Sequence, residues 1–318
     1  MKVLALAGGV GGAKLAGGLY HSLPPHSLAV LGNTADDFTL WGLHISPDLD
    51  TVMYTLAGLA NPVTGWGLSG DTWVTLEAIR RLGGEGWFAL GDQDIATHIR
   101  RTELLAQGMP LTEVTERLCV ALGIQTRLLP MTNDDVHTEV DTPAGRLPFQ
   151  EYFVRRQHRD DVHGIHFAGI ENAVVPATVT DAIAAADVIF FCPSNPLVSI
   201  GPILAVPGLR EQLREAKAPR IAVSPLIGGV ALKGPADKMM HDLGFEATTL
   251  GIARLYTDLL DGLVIDTVDA ELAPAIRDLG MQVLVTDTIM HDVADRNRLA
   301  QEMLQWSDEL RPALAPMH

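Results

Sequence analysis

The chain has 318 residues, of which 47% are apolar, and its formal net charge at pH 7 is -16. This length and apolar content allow a sizeable buried core, in one large domain or two of moderate size. The acidic balance argues against a nucleic-acid partner and against binding to an anionic membrane surface, because both need a basic face.

The first 124 residues alternate short apolar runs with helical patterns. A strand is predicted over residues 3–7, a helix over 13–20 and a second strand over 27–31. Further helices are predicted over residues 50–59, 71–82, 95–107 and 111–122. This order is typical of the beginning of an α/β domain.

Between residues 125 and 175 the pattern changes, and alternating stretches over 137–140 and 146–154 predict a small strand-rich insertion. The α/β pattern then returns with a nearly continuous apolar strand over 187–192. Later strands are predicted over 220–223, 263–265 and 282–286, and later helices over 236–243 and 296–309. We therefore predict an α/β fold with a doubly wound, mainly parallel sheet. Its core would comprise residues 1–124 and 176–318.

The two cysteines, Cys119 and Cys192, are far apart and have no metal-ligand spacing. We interpret both as buried thiols in a reducing compartment rather than as a disulfide. Glycines interrupt the apolar start of the chain, and no apolar run is long enough to cross a membrane. The sequence therefore predicts a soluble, cytoplasmic protein.

A glycine-rich segment connects the first predicted strand to the first predicted helix, where residues 8–14 read GGVGGAK. Gly9, Gly11 and Gly12 allow a sharp turn whose N–H groups can approach a phosphate, and Lys14 adds a positive charge. The spacing matches neither the Walker pattern nor the usual dinucleotide fingerprint. We predict a phosphate site here, with close packing of helix against sheet as the alternative.

Four carboxylates follow the second predicted strand, namely Asp36, Asp37, Asp48 and Asp50. If residues 46–51 are extended, Asp48 and Asp50 point to the same side. Carboxylates on two loops beside a phosphate site are a usual way to hold Mg²⁺, and they can also serve in acid–base chemistry. The alternative is that Asp48 or Asp50 caps the helix that follows.

Aromatic and acidic residues lie together before the next helical pattern, where residues 87–94 read WFALGDQD. Trp87 and Phe88 lie close in sequence to Asp92 and to His98, an arrangement that would suit a flat aromatic ligand. Simple core packing is the alternative for the aromatic residues, and helix capping is the alternative for Asp92.

Two polar loops directly follow predicted strands in the second half of the chain, where residues 193–202 read PSNPLVSIGP and residues 224–229 read SPLIGG. Hydroxyl, amide and backbone N–H groups at the carboxyl end of a strand can bind a base or a phosphate. The candidate residues in these loops are Ser194, Asn195, Ser224 and Gly228. Ordinary turn chemistry is the alternative.

Taken together and in this order, these motifs resemble those of the 2-phospho-L-lactate transferases. The resemblance extends from residue 1 to about residue 266 and rests on residues 8–14, 33–37, 46–51, 90–94, 193–202 and 224–229. It implies a Rossmann-like fold, usually dimeric, and a Mg²⁺-dependent reaction of coenzyme F-420 biosynthesis. In that reaction a lactyl or enolpyruvyl phospho-acid moves from its guanosine diphosphate ester to the terminal hydroxyl of 7,8-didemethyl-8-hydroxy-5-deazariboflavin. GMP is released.

The resemblance also implies roles for single residues. Asp48 would contact the metal or the acceptor hydroxyl, Asp36 would be a second metal ligand, and Asp50 would be a further catalytic carboxylate. The deazaflavin would lie near Trp87, Asp92 and His98. The guanosine diphosphate would meet the residues of the glycine loop and the polar loops, together with Asn33: Gly9, Gly11, Gly12, Lys14, Ser194, Asn195, Ser224 and Gly228.

Two other interpretations stay open from the sequence. A group of regulatory proteins shares the glycine-rich start and the Rossmann-like sheet and binds nucleotide sugars without catalysis. A nicotinamide-dependent dehydrogenase would need an acidic residue after the second strand to hold the ribose, and Asp36 could serve there. Among enzymes of the family, the residues do not distinguish a lactyl from an enolpyruvyl or glyceryl donor.

Overall fold

The structure is a computed structural model that describes residues 1–314. Its strands are β1 (Val3–Ala7), β2 (Leu28–Gly32), β3 (Phe38–Leu40), β4 (Leu43–Ile45), β5 (Arg127–Pro130), β6 (His137–Thr142), β7 (Gly145–Pro148), β8 (Gly164–Ala168), β9 (Val188–Phe191), β10 (Arg220–Val223), β11 (Leu226–Ile227), β12 (Val230–Ala231), β13 (Gly262–Asp266) and β14 (Gln282–Thr286). Its α-helices are α1 (Gly9–Ser22), α2 (Pro47–Leu56), α3 (Val74–Arg81), α4 (Asp92–Ala106), α5 (Leu111–Ala121), α6 (Ala177–Ala185), α7 (Ile200–Ala205), α8 (Leu209–Glu215), α9 (Ala236–Asp242), α10 (Thr249–Leu255), α11 (Ala273–Asp278) and α12 (Val293–Leu314).

Seven strands form the central sheet, in the order β14-β13-β10-β9-β1-β2-β5. Every neighbouring pair in this sheet is parallel. From β1 the chain adds strands toward one edge, and from β9 it adds strands toward the other, so the strand order reverses between β1 and β9. Open α/β sheets bind their ligands at such a reversal. The predicted α/β fold with a doubly wound, mainly parallel sheet is confirmed.

Helices cover both faces of the central sheet. Successive side chains of a strand point to opposite faces, so apolar strands make both faces of the sheet apolar. In β1, Leu4 and Leu6 belong to the buried cluster beneath α6, α7, α8, α9, α10 and α11. Val3 and Ala5 belong to the opposite cluster, beneath α1, α2, α5 and α12. Burial on both faces explains why β9 reads as an unbroken apolar run.

The interval 125–175 contains a second sheet, in which β7, β6 and β8 are antiparallel. The predicted beginning of the insertion needs a correction, because β5 pairs with β2 at the edge of the central sheet. The predicted stretch 146–154 also differs, since the strand ends at Pro148 and Glu151–Arg155 form a π-helix. Alternation alone could not separate these two conformations.

Cys119 and Cys192 are buried and free, as predicted. Burial also raises the pKa of both thiols and keeps them protonated. Because the thiolate is the reactive form, neither cysteine is disposed to form a disulfide. Within residues 1–314 no helix has both the length and the apolar character of a membrane span.

The helix α1 packs closely against its neighbours because it carries two adjacent glycines. A Cβ atom on Gly18 would lie 2.2 Å from the carbonyl oxygen of Arg296 in α12, whereas one on Gly17 would lie 3.1 Å from Cγ2 of Thr55 in α2. The helix that begins at the glycine-rich loop therefore owes its position to a backbone contact that only glycine permits at residue 18.

Replacing Gly18 by alanine is expected to lower the free energy of unfolding by about 1–3 kcal/mol, because the added methyl group overlaps a backbone carbonyl. Urea denaturation would measure the change. Gly17→Ala is the matched control, because it meets only a methyl group, and its higher helix propensity offsets up to about 1 kcal/mol. Equal effects at the two positions would contradict the close contact at Gly18.

Candidate active site

A cleft of about 830 Å³ opens where loops follow the carboxyl ends of β1, β9 and β10. This is the place where the strand order reverses. Ten of the predicted site residues line the cleft: Gly9, Gly11, Lys14, Asp48, Asp50, Trp87, His98, Ser194, Asn195 and Ser224. Five others are outside its lining: Gly12, Asn33, Asp36, Asp92 and Gly228.

Asp48 is held beside the glycine-rich loop. Its Oδ1 accepts a hydrogen bond from the backbone N–H of Gly9 at 2.7 Å, and its Oδ2 accepts one from Nδ2 of Asn33 at 3.0 Å. The condition under which Asp48 and Asp50 would point to the same side, an extended stretch over residues 46–51, is not met, because residues 47–51 belong to α2. Asn33 therefore positions Asp48 and does not face the cleft itself.

Burial sets the proton affinity of this carboxylate. It raises the pKa of Asp48 to about 6, although the hydrogen bonds from Asn33 and Gly9 oppose the shift. A carboxyl group with a pKa near the working pH is suited to accept a proton from an alcohol. The environment of Asp48 thus favours the acid–base duty that the sequence suggested.

Asp36 is a second buried carboxylate that interacts with Asp48. Burial, followed by repulsion from Asp48, raises the pKa of Asp36 well above its usual value. Among the described residues, no group donates a hydrogen bond to Oδ1 of Asp36, although this atom is buried. Two neighbouring carboxylates with a spare oxygen suit Mg²⁺, which usually takes one or two protein carboxylates and keeps several waters.

Residues 1–314 contain no group of three or more histidine, cysteine, aspartate or glutamate side chains arranged to hold a metal ion. A metal site at Asp36 and Asp48 would therefore take its remaining ligands from water and from the substrate. Such an incomplete protein shell is typical of Mg²⁺ sites that act on phosphates.

The glycine spacing at the start of α1 follows largely from packing. A Cβ atom on Gly11 would lie 2.3 Å from the carbonyl oxygen of Pro193, and one on Gly12 would lie 2.4 Å from Oγ of Ser194. The packing alternative therefore accounts for both residues. The same close approach brings the beginning of α1 to the wall of the cleft, where its N–H groups favour an anion.

The side chains of the two polar loops mainly hold those loops in shape. Oγ of Ser194 accepts the N–H of Gly8 at 3.0 Å and donates to the carbonyl oxygen of Gly8 at 2.9 Å. Oδ1 of Asn195 accepts the N–H of Leu197 at 2.9 Å. Because these side chains form hydrogen bonds within the loops, a ligand would be contacted mainly by the backbone of the loops.

The loop after β10 shows the same behaviour. Oγ of Ser224 donates to the carbonyl oxygen of Leu226 at 2.8 Å. The N–H of Gly228 donates to the carboxylate of Asp269 at 3.2 Å, and Gly228 does not line the cleft. The predicted ligand contact at Gly228 is therefore replaced by an internal hydrogen bond.

Two lysines give the cleft a positive region in an acidic chain. Nζ of Lys14 donates to the carbonyl oxygen of Met290 at 2.6 Å, and Nζ of Lys233 donates to the carbonyl oxygen of Thr64 at 2.9 Å. Burial, together with the nearby cations of Arg296 and Lys233, lowers the pKa of Lys14. An anion bound here would relieve the repulsion between these cations.

Asp50 differs from its predicted catalytic role. Both of its oxygens accept hydrogen bonds from the guanidinium of Arg101, one of them at 3.0 Å from Nη1. Arg101 is 1% exposed, and its Nη1 also lies 3.1 Å from Nδ1 of His98. Asp50 borders the cleft, but its charge is matched by Arg101, so the geometry indicates a structural role.

Asp92 forms a helix cap rather than a wall of the cleft. Its carboxylate accepts the N–H groups of Val74 at 3.1 Å and Thr75 at 2.8 Å, at the beginning of α3. In return, Asp71 accepts the N–H group of Gln93 at 2.9 Å, at the beginning of α4. Hydrogen bonds, first from the Thr72 hydroxyl and then from Thr75, lower the pKa of Asp92 to about 2. Asp92 is therefore a helix cap, but of the preceding helix α3 and not, as the capping alternative supposed, of the helix that follows it.

Replacing Asp92 by alanine is expected to lower the melting temperature, because two N–H groups at the beginning of α3 lose their acceptor. The Michaelis constants for donor and acceptor should stay within about twofold of wild type, because Asp92 lies outside the cleft. Differential scanning fluorimetry and initial rates would measure both quantities. A large rise in the Michaelis constant for the acceptor, with an unchanged melting temperature, would instead support the predicted binding role of Asp92.

Aromatic side chains form another wall of the cleft. The ring of Trp87 stacks on Phe38 at a centroid distance of 6.0 Å and meets Phe88 edge-on at 5.7 Å. His98 is buried beside them, with Nε2 at 3.2 Å from Oδ1 of Asp94. The packing alternative is confirmed for Trp87, which also lines the cleft, whereas the flat aromatic ligand stays a prediction.

Several other residues that line the cleft were not predicted from the sequence. Tyr54 of α2 reaches the cleft and donates a hydrogen bond to Oδ1 of Asp94 at 2.6 Å. Phe149, Gln150 and Phe153 reach it from the insertion. Their spacing would have been informative only with the knowledge that a π-helix follows β7.

Comparison with known proteins gives consistent results. The family model of the 2-phospho-L-lactate transferase CofD matches residues 3–306. The chain is 43% identical over 317 residues to a phosphoenolpyruvate transferase of Streptomyces griseus, covering 98% of this chain and 100% of that protein. It is 39% identical over 302 residues to a 2-phospho-L-lactate transferase of Methanothermobacter thermautotrophicus, covering 95% and 97%.

Among solved structures, a crystal structure of a UPF0052 family member from Bacillus halodurans is similar, with a TM-score of 0.61. The match covers 95% of this chain and 98% of that one, at 14% sequence identity. At this identity the similarity concerns the fold alone.

Proposed function

The chain belongs to the 2-phospho-L-lactate transferase family, and we propose that it transfers a phospho-acid from its guanosine diphosphate ester to the terminal hydroxyl of the deazaflavin precursor, releasing GMP. It is a phosphotransferase enzyme of coenzyme F-420 biosynthesis. Family membership over nearly the whole chain argues against the dehydrogenase and the non-catalytic regulatory protein.

One observation carries the proposal. Asp48, whose buried carboxyl group has a pKa of about 6, lies in the cleft and is hydrogen-bonded to Gly9 at 2.7 Å. A proton acceptor is thereby placed beside the beginning of α1, where a phosphate is favoured. Transfer of a phosphoryl-type group depends mainly on positioning and on charge neutralisation.

The donor diphosphate would occupy the positive region of the cleft. The N–H groups at the beginning of α1 and the ammonium groups of Lys14 and Lys233 can offset its negative charge. The backbone of the loops after β9 and β10 would contact the nucleoside. The aromatic wall at Trp87 would bind the ring of the deazaflavin.

The chemical step needs no covalent intermediate on the chain. The acceptor hydroxyl oxygen forms a bond to the phosphorus that carries the phospho-acid, and the bond from that phosphorus to the oxygen of GMP breaks. The hydroxyl proton passes to Asp48, which the hydrogen bonds from Gly9 and Asn33 hold in place. Asp36, whose Oδ1 receives no hydrogen bond from the described residues, would hold Mg²⁺ beside Asp48, and the ion would supply charge neutralisation for the diphosphate.

The phospho-acid itself is proposed to be the enolpyruvyl form. The named relatives include a phosphoenolpyruvate transferase at 43% identity and a 2-phospho-L-lactate transferase at 39%. The slightly higher identity favours the enolpyruvyl donor. A homodimer and a cytoplasmic location stay predictions from the sequence.

Mass spectrometry of products would test the proposal. The protein is mixed with Mg²⁺, the deazaflavin precursor and the guanosine diphosphate ester of enolpyruvate, lactate or glycerate, each in turn. We expect GMP and the phosphodiester product, fastest with the enolpyruvyl donor, and no product after chelation of the metal. Turnover that continues at the full rate without divalent cations would contradict the Mg²⁺ site, and absence of product with all donors would contradict the reaction.

A further inference from the structure

The insertion contributes directly to the cleft. Phe149, Gln150 and Phe153 line it, and they lie at the junction between β7 and the π-helix Glu151–Arg155. A π-helix is rare and is frequently found at a functional site. The insertion is therefore placed to contact a substrate, in addition to packing on the core.

Gln150 stands out among these residues because it lines the cleft and its carboxamide has no hydrogen-bond partner among the described residues. The residue is 7% exposed. A carboxamide offers two N–H donors and one oxygen acceptor. Because those of Gln150 are not used within the protein, they are available to a substrate that enters the cleft.

Polar contacts connect the insertion to Trp87, which belongs to the aromatic wall of the cleft. Nη2 of Arg155 lies 3.6 Å from Oε1 of Glu85, and Oε2 of Glu85 accepts the indole N–H of Trp87 at 3.2 Å. Residues 149–155 and Trp87 therefore border the same region of the cleft. A ligand that lies against Trp87 would therefore be near this part of the insertion.

The phenylalanines of the insertion have little free ring surface. Phe153 stacks on Phe149 with an interplanar angle of 4° and on His158 with an angle of 28°. Phe149 and His158 therefore occupy much of the ring of Phe153, which is itself only partly exposed. The specific contact that the insertion can offer is the hydrogen bonding of Gln150.

We propose that the Gln150 carboxamide binds the imide edge of the acceptor's heterocycle, which makes Gln150 a specificity-determining residue. The amide oxygen would accept the ring N–H, and the amide NH₂ would donate to the adjacent ring carbonyl. This inference rests on the proposed function, which supplies the deazaflavin. Guanine offers a similar N–H beside a carbonyl, but the connection to Trp87 assigns Gln150 to the acceptor.

Fluorescence titration with the deazaflavin precursor, and calorimetry with GDP, would test the assignment. Gln150→Leu should raise the dissociation constant of the deazaflavin about tenfold or more, because two hydrogen bonds are lost. The dissociation constant of this variant for GDP should stay within about twofold of the wild-type value. Gln301→Leu, a matched change at an exposed position of α12, should alter neither constant.

A modified ligand gives a second measurement that needs no altered protein. The deazaflavin methylated at the imide nitrogen should bind wild type about tenfold more weakly than the parent compound, and Gln150→Leu should bind the two alike. Loss of GDP binding in the variant would overturn the assignment in favour of guanine. Unchanged deazaflavin binding in the variant would overturn it outright. If wild type bound no deazaflavin, the proposed function would fail together with this inference.

Discussion

Replacing Asp48 by asparagine is expected to lower kcat by about 10²–10⁴-fold at saturating donor, acceptor and Mg²⁺, the usual range for a group that takes up a proton in the transition state. Asparagine has almost the same shape and can still accept the N–H of Gly9 through its amide oxygen. Its NH₂ group cannot accept the hydrogen bond from Nδ2 of Asn33, so that single bond is lost while the shape of the cleft is kept. Rapid-quench kinetics with detection of GMP would measure the loss.

The matched control for Asp48→Asn is Asp135→Asn, since the Asp135 side chain is 86% exposed and lies outside the cleft. Its turnover should equal that of wild type within about twofold. The GDP affinity of Asp48→Asn should be close to wild type and its melting temperature only slightly lower, because one hydrogen bond from Asn33 is lost. These two measurements would separate a chemical defect from unfolding. Full turnover of this variant at saturating Mg²⁺ would remove Asp48 from the mechanism.

Replacing Arg101 by methionine is expected to lower the free energy of unfolding by about 3–5 kcal/mol, because it leaves the buried carboxylate of Asp50 without its counter-charge. The side chains of Arg101 and Asp50 are 1% and 6% exposed, so water cannot compensate for the lost partner. Urea denaturation followed by circular dichroism would give the change.

Two further variants make this test selective. Arg100→Met removes the neighbouring surface ion pair with Glu103, in which both side chains are about half exposed, and should cost about 0–1 kcal/mol. The double variant Asp50→Leu with Arg101→Met should be more stable than Arg101→Met alone, because no buried charge is left unpaired. Additive losses in the double variant would argue against the ion pair.

The sequence was most informative about the strands of the central sheet. The predicted limits 3–7, 220–223 and 282–286 agree with β1, β10 and β14. Short apolar runs between turn residues specify such strands locally, so no knowledge of the rest of the chain was needed. The position of the cleft could also be predicted from the sequence, because polar loops that follow parallel strands meet at one edge of the sheet.

The roles of single carboxylates depended on partners that no local pattern shows. Asp50 is matched by Arg101, which lies 51 positions later, and Asp92 caps α3 through Val74 and Thr75 in the preceding segment. Both carboxylates belong to motifs that suggested ligand binding. Only the packing of α4 beside α2 and α3 decides that their charges are used within the protein.

Gln150 was missed for a different reason. The alternation over residues 146–154 predicted a continuing strand, whereas the backbone changes to a π-helix after Pro148. A π-helix has no strong sequence pattern, so the sequence could not show which side chains near it point into the cleft. Tertiary contacts with the core fix this segment instead.

The pair of hydrogen bonds between Gly8 and Ser194 spans 186 positions of the chain. A ribosome-bound chain that has emerged only as far as β5 would already contain Asp48, Asn33 and Lys14, but its glycine-rich turn would have no opposite wall. Catalytic competence must therefore arise late in synthesis. A gene split within the insertion should yield two inactive fragments that regain turnover only when they reassociate.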